Sequence, residues 1–118
     1  MFLKNVVIEY SDQNEEIAKF FPRRAKAVKS YRSSLFSKKC LLVELEKPFV
    51  YGQINEFGNH TQQNTHLLLS PRYVGGRIWY LYFEAHIILV PEVPDLDGKE
   101  VEIDRSNHVA WGYVRRRI

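Results

Sequence analysis

Cysteine is almost missing from this chain: Cys40 is the single one in 118 residues. A lone thiol closes no internal disulfide and builds no zinc framework. Cys40 borders Leu41-Leu42-Val43 and has no histidine or second cysteine close in sequence, so a buried, reduced and unreactive thiol is expected. Long apolar runs are missing too. A membrane span needs roughly 18–20 apolar residues, and the longest run here, Ile78 to Val90, is broken by Glu84 and His86. The opening Met1-Phe2-Leu3-Lys4-Asn5 has no charged-then-apolar export pattern. The expectation is therefore a cytoplasmic protein without a membrane partner, in which the sequon Asn59-His60-Thr61 is a chance match. The motifs that announce common chemistries are also absent: a Gly-rich phosphate loop, Gly-x-Ser-x-Gly, His-Glu-x-x-His and Cys-x-x-Cys. No cofactor, no metal and no catalytic residue is assigned, and a non-enzymatic protein is the favoured reading.

What is present suits one packed domain over residues 1–118. Hydrophobic residues make up 45% and aromatic residues 14%, enough for a core and too much for a disordered chain. Phe2 to Tyr10 reads as a strand, with Val6, Ile8 and Tyr10 on one side. Ser11 to Glu16 reads as a helix start, with Asp12 and Glu15 at capping-box spacing, and Pro22 ends or kinks that helix. Ala25, Val28 and Tyr31, at i, i+3 and i+6, predict a second short helix from Arg23 to about Tyr31.

The remainder reads as β-structure. Leu41, Val43 and Leu45 alternate with Glu44 and Glu46, and Phe49 to Ile54 continues that strand or starts another. Glu56 to Thr65 is polar and reads as a loop, followed by a short strand His66 to Ser70. Arg77 to Val90 predicts one long, bent strand with Trp79, Leu81, Phe83 and Ile87 buried together. Asp97-Gly98 marks a tight turn, and Val109 to Val114 a last strand with Trp111 and Tyr113 on one face. The expected fold class is α+β: one N-terminal helix or two short ones packed on a curved, mostly antiparallel sheet or small β-barrel.

Charge of one sign is missing from a long stretch. Lys19 to Lys39 contains eight basic residues and no acid. On a helix, Arg23, Lys26 and Lys29 would share one side, with Arg24, Arg32, Lys38 and Lys39 in support, and such a surface can follow a phosphate backbone. The plainer reading is a solvated face that keeps the protein soluble. Glu84 to Asp104 is the acidic counterpart, with only Lys99 against seven acids; it reads as strand and loop surface, or as the complement of the basic stretch on another subunit. Tyr80, Tyr82 and His86 form a stripe on the second face of the long strand, suited to stacking a base or a small ligand, or to packing as a second core. Arg115 to Arg117 adds a basic tail. His60 and His66 lie near the polar stretch at no metal-ligand spacing.

Leu41 to Glu46 followed by Leu67 to Pro71 resembles two strands of the MazF-type toxin ribonucleases, which are small β-barrels. Thr65-His66 stands where that family has an arginine–proline pair, and no site residue is carried over. The function expected first is a small protein that docks RNA or DNA, alone or in a nucleoprotein assembly, through the basic helix. The alternatives are a protein-interaction module (an inhibitor, immunity protein or assembly subunit, with homo-oligomers compatible) and a small ribonuclease-like enzyme working through histidine and arginine.

Overall fold

Alternation decides the architecture. The computed structural model describes residues 5–11, 15–33, 39–55, 58–71, 82–90, 92–102 and 109–116. These form β1 (Asn5–Tyr10), a single helical turn α1 (Glu15–Ala18), β2 (Arg23–Ser33), β3 (Lys39–Asn55), β4 (Gly58–Pro71), β5 (Tyr82–Leu89), β6 (Glu100–Val101) and β7 (Val109–Arg116). The sheet runs β1-β7-β5-β4-β3-β2, and an additional antiparallel β1–β2 pairing closes it into a six-stranded barrel. The two-residue β6 adds to β2 in parallel, outside the ring.

Alternate residues along the described ring strands point into the lumen, apart from the break in register on β2. Val6 and Ile8, Leu41, Val43 and Leu45, Leu67 and Leu69, Ala85, Ile87 and Leu89, and Val114 meet there as one buried cluster. The β1, β3 and β5 alternations predicted from the sequence are thus the inward faces of barrel strands. Closure also leaves no edge among the six strands where they form the ring. Gly112 marks a seam in the wall: a Cβ there would overlap the Ile87 side chain and the Glu9 carbonyl oxygen, so the β1–β7–β5 contact needs glycine.

A second cluster lies on the outside of the wall. Tyr31, Cys40, Leu42, Leu68, Ile88, Val90 and Val101 pack together, with Val28 against them. A strap over residues 92–99 borders them and is held to β2. The Tyr31 hydroxyl donates to the Asp95 carbonyl at 2.9 Å, the Lys29 ammonium donates to the Leu96 carbonyl, and the Arg32 amide donates to the Lys99 carbonyl at 3.0 Å. The expected Asp97-Gly98 turn is present within the strap, with the Gly98 amide donating to the Asp95 carbonyl at 3.1 Å.

The α+β expectation is overturned: the fold is a nearly all-β closed barrel, and its helical content among the described residues is one turn. α1 stops at Ala18, and the chain leaves it through tight hydrogen bonds from Phe20 to Ile17 and from Phe21 to Ala18. Ile17, only 1% exposed, and the half-buried Phe20 and Phe21 are what this segment contributes to the interior. The second helix does not exist; Arg23 to Ser33 is strand β2. Its helix-like spacing has a specific cause. Ala25 faces the lumen and Val28, three residues on, faces outward, while a register shift between Ala27 and Lys29 brings Tyr31 to the outward side as well. A bulge inside a strand thus mimics a 3.6-residue period. Pairing on both sides, with β1 and β3, then outweighs the weak local helix preference.

A further correction concerns the polar stretch. Gly58 to Thr65 is not a loop but the first half of β4, paired with Phe49 to Asn55 of β3. Phe49 to Asn55 therefore continues the strand that starts at Lys39, beyond a shift in register between Glu44 and Phe49 that accommodates Pro48. Gly58, at φ 112°, supplies the backbone conformation on the return side of the hairpin. Of the long strand expected over Arg77 to Val90, Tyr82 to Leu89 is strand; Trp79, Tyr80 and Leu81 lie outside the described residues.

Candidate binding face

The eight cations of the acid-free stretch do not share one surface. Arg23 turns to the mouth of the barrel. Its Nε donates to the Phe20 carbonyl at 2.6 Å, its Nη1 donates to the Lys47 carbonyl at 3.0 Å, and its guanidinium sits 5.3 Å from the Phe49 ring centre. Arg23 is therefore a clamp on an aromatic cap, in which Phe20 stacks on Phe49 at 4.5 Å and Phe21 on Tyr10 at 5.6 Å. Lys29 is tied to the strap and lies 5.4 Å from the Tyr31 ring centre. Arg32 and Lys39 are exposed cross-strand partners at the far end of the β2–β3 pair. Lys38 lies outside the described residues.

The acidic stretch meets the basic one inside a single chain. Asp95, Asp97 and Glu100 belong to the strap and to β6, beside Lys29, Tyr31 and Arg32 of β2. The groove below the strap, about 440 Å³ in volume, is lined by Leu68 and Val90 at its floor and by Glu92, Asp95, Glu100 and Glu102. Burial, then the nearby Asp95, Cys40 and Asp97, raise the Tyr31 hydroxyl above its ordinary pKa of 10.0. Burial alone pushes the Cys40 thiol up to about 11. Cys40 is fully buried in the outer cluster, as its neighbours in sequence suggest.

Register assembles a different surface on the other half of the wall. His86 of β5 lies opposite Trp111 of β7, and their rings are 3.7 Å apart between centres with a 35° tilt. The next outward row places Glu84, Tyr113 and Glu9 side by side on β5, β7 and β1. The row after that runs from Arg115 on β7 through Val7 on β1 to Arg24 on β2. Lys26 follows on β2, 3.5 Å from Glu44. Arg115 donates from Nε to Glu9 Oε1 at 2.8 Å. His86, Trp111 and Tyr113 are half-buried, while Arg24, Lys26 and Arg115 are exposed.

Three regions far apart in sequence thus share one continuous stripe: part of the basic stretch (Arg24, Lys26), part of the aromatic stripe (His86) and the start of the basic tail (Arg115). Tyr82 lies opposite Arg115 in the β5–β7 pairing, and Tyr80 is outside the described residues. Trp111 and Tyr113 are legible in the sequence as one face of the last strand. Their junction with His86 is not, because it depends on β5–β7 register. Among the described residues no three His, Cys, Asp or Glu side chains converge on a metal-sized site. His66 hydrogen-bonds Thr65 Oγ1 at 2.8 Å and lies opposite Glu44 on another part of the barrel.

No protein-family model, no curated protein and no solved structure matches this chain.

Proposed function

We propose that the protein binds single-stranded nucleic acid along the outer wall of β5, β7, β1 and β2 without catalysing a reaction on it. The observation that supports this is the stripe itself: two aromatic rows, Trp111–His86 and Tyr113, lead into a row carrying Arg115 and Arg24. Unpaired bases stack on such rings whatever their identity, and each stack is worth about 1–3 kcal/mol. The cations then hold the backbone, which sets affinity rather than sequence preference. Because the stripe crosses four of the six barrel strands, a bound strand wraps part of the way round the barrel. A duplex fits poorly, since its bases are already stacked on one another. The carboxylates of Glu9 and Glu84 within the stripe keep the phosphate contribution modest, so stacking carries more of the affinity than charge.

The test is fluorescence anisotropy with labelled single-stranded DNA and RNA oligonucleotides at several salt concentrations. Trp111→Ala is expected to weaken binding by about tenfold or more. Arg24→Gln with Arg115→Gln is expected to lower the log–log salt slope by about 1.4, since each single-strand phosphate neutralised by an arginine contributes about 0.7. Absence of binding at low salt would refute the proposal. Wild-type affinity in Trp111→Ala would refute this placement of it.

The second reading, a protein-interaction module, draws on one separate observation: the uncharged hairpin in which Phe49–Asn55 and Gly58–Asn64 pair with each other.

A further inference from the structure

The row that carries Arg115 and Arg24 runs into a pocket at the mouth of the barrel. Ala25 of β2 pairs with Leu45 of β3, and next to that pair lies a hollow of about 250 Å³ lined by Pro22, Arg23, Arg24, Glu46 and Lys47. Its place follows from the backbone. β2 begins at Arg23, directly after Pro22, and β3 shifts its register with β4 between Glu44 and Phe49, the stretch that holds Pro48. An irregularity of this kind bends a strand and disrupts the ladder locally.

The pocket is basic, and its cations are held in different ways. Arg23 is fixed: Nε donates to the Phe20 carbonyl, Nη1 donates to the Lys47 carbonyl, and the Phe49 ring centre lies 5.3 Å away. A guanidinium carries five N–H donors, so an oriented group keeps three beyond these two bonds. Arg24 and Lys47 are exposed on the β2 and β3 sides of the hollow. Three cations against one carboxylate, Glu46, leave the lining residues with a formal charge of +2.

We infer that this pocket seats a terminal phosphate of the nucleic acid, an inference that rests on the stripe proposed above. Charge selects the group. A phosphate inside a strand is a diester with a single negative charge. A terminal phosphate is a monoester with a charge of about −1.5 to −2 at neutral pH and three acceptor oxygens, which matches a lining of +2. Arginine can meet such a group with two parallel N–H···O bonds. Position agrees with charge. From Trp111 to Arg24 the stripe crosses two strand spacings and advances four residues, about 16 Å in all. A strand stacked on Trp111 and Tyr113 therefore reaches the pocket within a few nucleotides.

The test is fluorescence anisotropy with one short single-stranded sequence carrying a 5′-phosphate, a 3′-phosphate or hydroxyls at both ends. One phosphorylated form is expected to bind about tenfold more tightly than the hydroxyl form. Lys47→Glu brings the formal charge of the lining to zero and should erase that preference. Because Lys47 lies outside the stripe, affinity for the hydroxyl form should stay within about twofold, which also shows that the barrel persists. Lys47→Gln removes the charge without reversing it and should reduce the preference by a smaller factor. Inorganic phosphate, the same anion without a strand, should compete only at concentrations far above that of the oligonucleotide. Equal affinity for all three forms overturns the inference and leaves the stripe standing. A preference that survives both Lys47 variants overturns it as well. So does displacement by inorganic phosphate at the oligonucleotide's own concentration, since the strand would then add nothing. If no form binds, the stripe fails and this inference fails with it.

Discussion

The outside of the barrel wall has two halves that carry opposite kinds of residue. On β2, β3 and β4 the outward positions hold Val28, Tyr31, Cys40, Leu42 and Leu68, bordered by Val90, Val101 and the strap. On β5, β7 and β1 they hold Glu84, His86, Trp111, Tyr113, Glu9 and Arg115, with His86, Trp111 and Tyr113 half-buried and Arg115 exposed. The change occurs within a single strand: on β5, Ile88 belongs to the covered half and His86, two residues earlier, to the open one. The outward positions under the strap are thus mostly apolar, and those on the other half mostly polar or aromatic. Half-buried rings with polar tips keep part of their surface available for a ligand.

The sharpest way to break this contrast is to truncate one large residue on each half. Leu68→Ala, beneath the strap, is expected to cost about 2–5 kcal/mol in urea unfolding, as a lumen leucine would. Trp111→Ala should cost clearly less, since its side chain is only half-buried. Equal losses would mean that the aromatic half is packed against something and is not open to a ligand.

Alkali probes the covered half next. The folded Cys40 thiol keeps its proton until about pH 11, whereas an ordinary thiol loses it near 9.0. Above pH 9 the unfolded chain binds fewer protons than the folded one, so stability falls as pH rises from 9 through 11 and is unaffected by this group below pH 9. The full loss is roughly 2–3 kcal/mol. The raised Tyr31 hydroxyl adds a fall above pH 10. Chemical denaturation at stepped pH checks the sum, and Cys40→Ala should remove the cysteine part together with the share of the Tyr31 rise that Cys40 causes.

Gly112→Ala acts at the seam on which the open half is built. Its Cβ has to displace both Ile87 and the Glu9 carbonyl, so a loss of about 1–3 kcal/mol in thermal or urea unfolding is expected. Nucleic-acid binding should weaken with it, because Trp111 and Tyr113 flank the displaced residue. The smallest effect is expected from Tyr31→Phe. It removes the hydroxyl's hydrogen bond to the Asp95 carbonyl at a cost of about 0.5–1.5 kcal/mol. Faster amide exchange confined to the strap and β6 would mark the loosened cover, and binding on the open half should not change.

Much of the barrel is legible residue by residue. Leu41, Val43 and Leu45, Val6 and Ile8, and Ile87 and Leu89 all lie on the inward faces that a period of two assigns them. Cys40 is buried, as its apolar neighbours suggest. The basic stretch misleads because a bulge at Val28 spaces Ala25, Val28 and Tyr31 like a helix. The first half of β4 misleads because its polar composition is what a strand open to solvent also has. For the candidate face, the ingredients are visible in the sequence and the assembly is not. His86, the Trp111–Tyr113 pair, Arg24 and Arg115 stand out in separate segments, and only the pairings of β5 with β7 and of β1 with both β7 and β2 set them side by side.

The sequence by itself therefore determined which side of each regular strand is apolar, because the alternation of side chains along a strand is a local property of the backbone. Only the tertiary structure decided that Arg23 to Ser33 is a strand, that the acidic strap answers the basic strand within one chain, and that aromatic and basic rows meet on one wall. Each of these depends on pairing between segments distant in sequence. Closing the ring requires a sixth strand between β1 and β3, and that long-range requirement outweighs the small local preferences that a sequence window can register.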